Sequence, residues 1–155
     1  MEKEKLKRIF YFLEKKEEHN APLLWKYQNN IPITKEDSVV KGDLNFSFKK
    51  NIPSLPEGLK IGGDFNLFYS QITSLPKGLE VDGNLDLTNC KQLTLLPEGL
   101  KVTSDLFLGN TKITSLPKGL YVGKNLYIGK ELFKYLDNEL REMIKPGLIK
   151  GSIYR

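Results

Sequence analysis

The sequence predicts a repeat solenoid: short parallel β-strands wound into coils, with an α-helical cap at either end. Three observations predict it. A five-residue segment recurs four times, as Leu55-Pro56-Glu57-Gly58-Leu59, Leu75-Pro76-Lys77-Gly78-Leu79, Leu96-Pro97-Glu98-Gly99-Leu100 and Leu116-Pro117-Lys118-Gly119-Leu120, at spacings of 20, 21 and 20 residues. Each copy is followed in fixed register by an aliphatic residue (Ile61, Val81, Val102, Val122) and then by an apolar pair (Phe65/Leu67, Leu85/Leu87, Leu106/Leu108, Leu126/Ile128). Outside this stretch the apolar spacing changes from two to three and four, the period of a helix.

In chain order, residues 1–20 form the first cap. Leu6, Ile9, Phe10 and Leu13 fall on one face of a helix over Glu2 to Glu18, and Lys and Glu fill the other. Residues 21–38 are a connector carrying Trp25 and Tyr27, without a pattern that places it. Residues 39–129 hold about five repeats, the earliest an incomplete copy marked by Val40, Leu44, Phe46 and Ile52.

Each coil is expected to hold two short strands, because alternate apolar positions share one face. Leu79-x-Val81 is one, Leu85-x-Leu87 the next, and Gly83 the corner between them. Gly63 and Gly42 take that corner in neighbouring coils, which reads as a need for positive φ, while Ser104 and Lys124 break the pattern. The Leu-Pro step sets an extended or turn conformation, and the glycine after it lets the chain turn back.

A single coil buries too few side chains to offset its ordering entropy, so coils must stack through parallel ladders and the end coils need covers. Residues 130–155 supply the second cap and a tail. Leu132, Phe133, Leu136, Leu140, Met143 and Ile144 recur at helical spacing, and Pro146-Gly147 ends that helix. The tail from Leu148 to Arg155 either adds a short strand or hangs free. All 155 residues are expected to form one domain.

The stretch Leu85-Asp86-Leu87-Thr88-Asn89-Cys90-Lys91-Gln92-Leu93 carries the spacing Leu-x-Leu-x-x-Asn/Cys-x-x-Leu, and Val40 to Ile128 resembles the leucine-rich-repeat superfamily. The recurring Leu-Pro-x-Gly-Leu-x-Val-x-Gly-x-Leu-x-Leu-x-x-Thr-x-Ile is similar to short leucine-rich-repeat-like proteins encoded by bacteria and their phages. That resemblance implies a binding scaffold and names no partner; a phage-type inhibitor of a host enzyme or defence system is the form it suggests. One departure is that Ser70, Cys90 and Thr111 stand where the superfamily places an inward asparagine column.

Stacked coils lie ~4.8 Å apart, so equivalent repeat positions form columns. Glu57, Lys77, Glu98 and Lys118 alternate in sign, and Lys60, Glu80, Lys101 and Tyr121 run in the opposite phase; both columns read as register devices. The strand carrying Leu-x-Leu turns two other columns outward: Asp43, Asp64, Asn84, Asp105, Asn125, and Asn45, Asn66, Asp86, Phe107, Tyr127. A third column, Ser47, Phe68, Thr88, Gly109, Gly129, adds a ring, with Tyr69 beside it. Aromatic rings among Asp and Asn, with no Lys or Arg in the first two columns, are the composition of a protein-binding face suited to a basic partner.

Lysines collect on the following turn, at Lys49, Lys50, Lys91, Lys112 and Lys130. Together with a net charge of +5 they make nucleic-acid binding the alternative, although neither arginine nor an interleaved aromatic residue strengthens it in the sequence.

Catalysis finds little to work with. His19 is the sole histidine and ends the first helix, and Cys90, the sole cysteine, occupies an inward position, so Cys/His metal ligation is excluded by number and no histidine partner near Cys90 is evident. Gly62-Gly63-Asp64-Phe65 matches part of a nucleotide-cyclase signature, yet repeat position explains each residue. No cofactor motif is present, and no catalytic residue is expected. A lone cysteine, no leader-like start and no membrane-length apolar run point to a cytoplasmic protein without a membrane partner.

Overall fold

A computed structural model describes residues 3–5 and 22–155. It is a solenoid of short parallel strands in two sheets. The expected first-cap residues Leu6, Ile9, Phe10 and Leu13, and His19, lie outside the described residues; residues 3–5 are helical.

The first sheet joins β1 (Val39–Val40), β3 (Lys60–Ile61), β5 (Glu80–Val81), β7 (Lys101–Val102), β9 (Tyr121–Val122) and β11 (Leu148–Ile149) in that order. The second joins β2 (Leu44–Asn45), β4 (Phe65–Asn66), β6 (Leu85–Asp86), β8 (Leu106–Phe107), β10 (Leu126–Tyr127) and β12 (Ile153–Tyr154). Every pairing is parallel, and the register is that of the repeat: Val40, Ile61, Val81, Val102, Val122 and Ile149 lie side by side. Leu44, Phe65, Leu85, Leu106, Leu126 and Ile153 do the same in the second sheet.

The core runs down the axis between the sheets. Leu59, Val81, Leu85, Leu106 and Leu126 are fully buried, as the alternating pattern requires. Its polar column is satisfied internally: the Cys90 thiol donates to the Leu67 carbonyl at 3.0 Å, and the Thr111 hydroxyl to that of Leu108 at 2.9 Å. Burial pushes the Cys90 thiol above the ordinary cysteine value.

The two kinds of glycine act differently. Those of the Leu-Pro-x-Gly turns have positive φ, from 69° to 73°. The corner glycine Gly83 does not share that conformation; a Cβ there would meet the Gly63 carbonyl at 2.7 Å, so close stacking of backbones sets the requirement. Where Ser104 and Lys124 replace glycine, the ladder continues, Ser104 N–H to Gly83 at 3.3 Å and Lys124 N–H to Ser104 at 3.1 Å.

The connector packs on the first coil. It contains α1 (Pro22–Gln28) and a 3-10 turn at Lys35–Asp37. Leu23 is fully buried, and the Tyr27 ring meets Phe46 edge-on with centroids 5.0 Å apart. The Asp37 carboxylate binds Lys26 Nζ at 2.6 Å and accepts the Thr34 backbone N–H at 2.7 Å. Burial opposes the charged form of Asp37, but the Lys26 and Thr34 hydrogen bonds outweigh it and hold its pKa below the usual carboxylate value.

The other end departs from the expected single helix. It consists of a 3-10 turn at Lys130–Leu132 and the short α2 (Asp137–Met143). Leu132, Leu140 and Ile144 are buried as expected, whereas Phe133 and Leu136 are 47% and 65% exposed. The helix restarts at Asp137 because Leu136 is extended and its N–H is taken by Glu139 at 2.6 Å. The tail adds a strand to each sheet, and Arg141 fastens it by donating to the carbonyls of Ile149 and Gly151.

Candidate functional site

The outward columns of the second sheet have three distinct local structures. The first is a hydrogen-bonded ladder. Asp43 Oδ1 accepts the N–H of Asp64 at 2.7 Å, Asp64 that of Asn84 at 2.7 Å, Asn84 that of Asp105 at 3.0 Å, and Asp105 that of Asn125 at 2.8 Å. Asn125 closes the series on Ser152 at 3.0 Å. Stepping from coil to coil at a corner, these side chains replace the backbone acceptor that the bend removes. A ladder of Asp and Asn thus exists, but at the corner and not in the inward column.

The second column divides in two. In the early coils Asn45, Asn66 and Asp86 each accept the N–H two residues on, from Ser47, Phe68 and Thr88, at 2.8 to 2.9 Å. In the later coils the position is aromatic. Phe107 stacks on Tyr127 with centroids 4.6 Å apart and planes 13° apart, and Tyr127 on Tyr154 at 4.9 Å and 16°. Phe107 and Tyr127 are half-buried by this stack instead of standing free, and Tyr154 is 47% exposed. Gly109 and Gly129 occupy the neighbouring column, the first half-buried and the second buried.

The third structure lies at the start of the solenoid. Phe48, Phe68 and Tyr69 form a cluster with centroids 5.4 to 5.9 Å apart. Phe48 and Tyr69 are 65% and 52% exposed, while Phe68 is half-buried beneath them. Both exposed rings sit in the left-handed region, at φ 59° and 58°. The same turn position carries Asn89 and Asn110, at φ 63° and 55°. Asparagine tolerates this conformation, and a bulky ring there costs on the order of 1–3 kcal/mol.

The structure therefore spreads the predicted residues over three roles. Asp43, Asp64, Asn84, Asp105 and Asn125 hold coils together; Asn66 and Asp86 shape their own strand ends; Phe68, Tyr69, Phe107 and Tyr127 belong to two ring groups. Sequence reasoning missed Phe48 and Tyr154. Phe48 was legible as the partner of Tyr69 one repeat earlier, whereas Tyr154 joins the column only because the tail winds another half-turn.

The charge columns behave unequally. Glu80 bridges Lys60 at 3.4 Å and Lys101 at 3.7 Å, and Lys150 Nζ lies over the Tyr121 ring at 5.6 Å. The turns that carry Glu57 and Lys77 join instead through backbone, the Gly58 N–H donating to the Lys77 carbonyl at 2.7 Å. Hollows open on the surface among the described residues. One of about 770 Å³ lies between the connector and turns 50–57 and 71–77, and one of about 390 Å³ is lined by Lys91, Lys112, Lys130, Asn110, Thr111 and Glu131. Neither adjoins a cluster of three or more His, Cys, Asp or Glu side chains able to hold a metal, among the described residues. Among those residues, too, no helix is long and apolar enough to cross a membrane. No protein-family model, curated protein or solved structure matches this chain.

Proposed function

We propose that the protein is a protein-interaction module that binds a partner through the outer face of its second sheet. The observation that supports this reading is the stack of Phe107, Tyr127 and Tyr154, with the last ring 47% exposed. Rigid aromatic rings beside polar groups whose geometry is already fixed supply contact area at small entropic cost. Asp86 stands in the same column next to Phe107, so a basic side chain of the partner, an arginine above all, finds a carboxylate and a ring together.

In this reading the Asp and Asn ladder is the rigid backing of the face, and the rings are its contact points. The finer form of the proposal is inhibition: a small solenoid that occupies its target's surface, in keeping with the resemblance to phage-encoded repeats, where the target is a host enzyme or a defence protein.

The test is affinity capture from a lysate of the source cells, followed by titration of the captured partner. Phe107→Ser combined with Tyr127→Ser is expected to weaken binding by tenfold or more, and Asp86→Asn to weaken it less. Capture that survives both changes eliminates this face. Asp64 and Asp105 are unsuitable for the purpose, because replacing them breaks the ladder as well as the surface.

A further inference from the structure

We propose that the turn edge following the second sheet is a second site, with a different chemistry from the ring face, and that it binds single-stranded nucleic acid. Sequence alone gives five lysines without an interleaved aromatic residue. Folding supplies the missing element, because Phe48 and Tyr69 occupy the turn itself, next to Lys49 and Lys50, and Lys91 of the next coil places its ammonium 5.9 Å from the Tyr69 ring centroid. Phe48 stacks on Tyr69 with centroids 5.9 Å apart and planes 26° apart, which leaves an exposed ring at the head of the lysine row.

The row continues along the coils. Lys91, Lys112 and Lys130 line the hollow of about 390 Å³, in which Glu131 is the one carboxylate. From the coil of Lys50 to that of Lys130 is four coil steps, about 19 Å at ~4.8 Å each. That length suits a segment of a few nucleotides, near the lower end of the ~4–16 covered by single-strand-binding domains.

Phosphates meet ammonium groups there, and a base at the head of the row stacks on Phe48. Asn89 and Asn110, joined at 3.2 Å through their side-chain amides, form the floor between the ring pair and the hollow. The strained conformation of Phe48 and Tyr69 fits this role. Asparagine, which the same position carries in the next two coils, folds there without strain, so the rings are retained at a cost to the fold.

The experiment is fluorescence anisotropy of the full chain with labelled dT12 and rU12 between 25 and 200 mM salt. Single-strand binding is expected, with log K falling against log salt at a slope of up to about −3.5 for five lysines. Lys50→Ala, Lys91→Ala and Lys112→Ala together are expected to flatten that slope by about 2. Phe48→Asn with Tyr69→Asn is expected to weaken binding about tenfold at an unchanged slope, since it removes stacking and no charge.

The ring variant is folded if its thermal melt stays cooperative with a midpoint no lower than the parent's, and competition by inorganic polyphosphate reads stacking without any variant. Failure to bind dT12 at 25 mM salt overturns the proposal. So does equal binding of polyphosphate, or displacement by polyglutamate in preference to dT12, which assigns the edge to an acidic protein. Phe107→Ser with Tyr127→Ser leaves dT12 binding intact, so failure of the ring-face reading is told apart from failure of this one.

Discussion

Asp64 Oδ1 accepts the backbone N–H of Asn84 at 2.7 Å, so a side chain of one coil carries a bond that the backbone cannot make at the corner. Asn84 repeats the arrangement toward Asp105 with an amide oxygen. The acceptor matters and the charge does not. Asp64→Asn is therefore expected to leave the denaturant midpoint almost unchanged, whereas Asp64→Ala loses about 1 kcal/mol. Equal losses for the two variants, measured by urea unfolding, would contradict the ladder.

Two glycines of identical conformation separate two causes. Gly58 and Gly78 have φ near +70°, but a Cβ on Gly58 meets nothing within 4 Å, while one on Gly78 comes 3.3 Å from the Gly58 Cα. Gly58→Ala carries the left-handed penalty alone, about 1 kcal/mol. Gly78→Ala adds crowding of the neighbouring turn and is expected to be the more destabilising of the pair. Thermal melts of the two single variants give the order directly.

These particulars show how far the residues alone could be read. Strand positions were legible because the buried residues Leu85 and Leu87 alternate with outward ones, and the parallel register follows once Leu59, Leu79 and Leu100 must stack on one another. The ladder was not, because a column of Asp and Asn looks the same whether it faces a partner or the next coil's N–H groups. Phe48 was legible only as the residue one repeat before Tyr69, because the later copies of that turn position, Asn89 and Asn110, share its backbone conformation and not its chemistry. The second cap was misjudged at Phe133 and Leu136, where helical spacing continues but the chain straightens, and the tail takes over the closing of both sheets.

Asp37 links stability to pH. Its pKa is held below the ordinary value in the folded protein, chiefly by Lys26 and the Thr34 N–H acting against burial. The unfolded chain therefore binds a proton first as the pH falls. The contribution is complete above the unfolded value of ~3.9 and disappears as pH drops through the lower folded one. Asp37→Asn is expected to lower stability at neutral pH and to flatten the acid limb of the stability profile. An unchanged limb in urea midpoints measured from pH 7 to pH 3 would remove Asp37 from the account.

Cys90 gives a kinetic probe of the interior. Its thiol is fully buried, donates to the Leu67 carbonyl and is raised by burial, so little thiolate is present and no reagent reaches it. Alkylation by iodoacetamide at pH 8 is expected to follow opening of the solenoid, and to accelerate in parallel with added urea. Labelling of the native protein at the rate of a free thiol would place Cys90 outside the core.

Arg141 determines whether the tail stays wound. The last coil of the first sheet uses its N–H groups on the coil before it, Leu148 to Leu120 at 2.8 Å and Lys150 to Val122 at 2.9 Å. Its carbonyls then face the end of the stack, where an unpaired edge invites other chains. Arg141, projecting from α2, donates to two of them, at Ile149 and Gly151, and so joins the cap helix to the final strands. Arg155 adds a second tie through Asp137 at 2.7 Å, but that pair is exposed and contributes little. Arg141→Ala is expected to cost about 2 kcal/mol, because two charge-assisted bonds to partly buried carbonyls are lost. The loss is local first: amide exchange should rise across residues 148–155 while the strands around Leu85 keep their protection. Uniform acceleration across all coils would mean that the tail is part of one cooperative unit and Arg141 no separate latch.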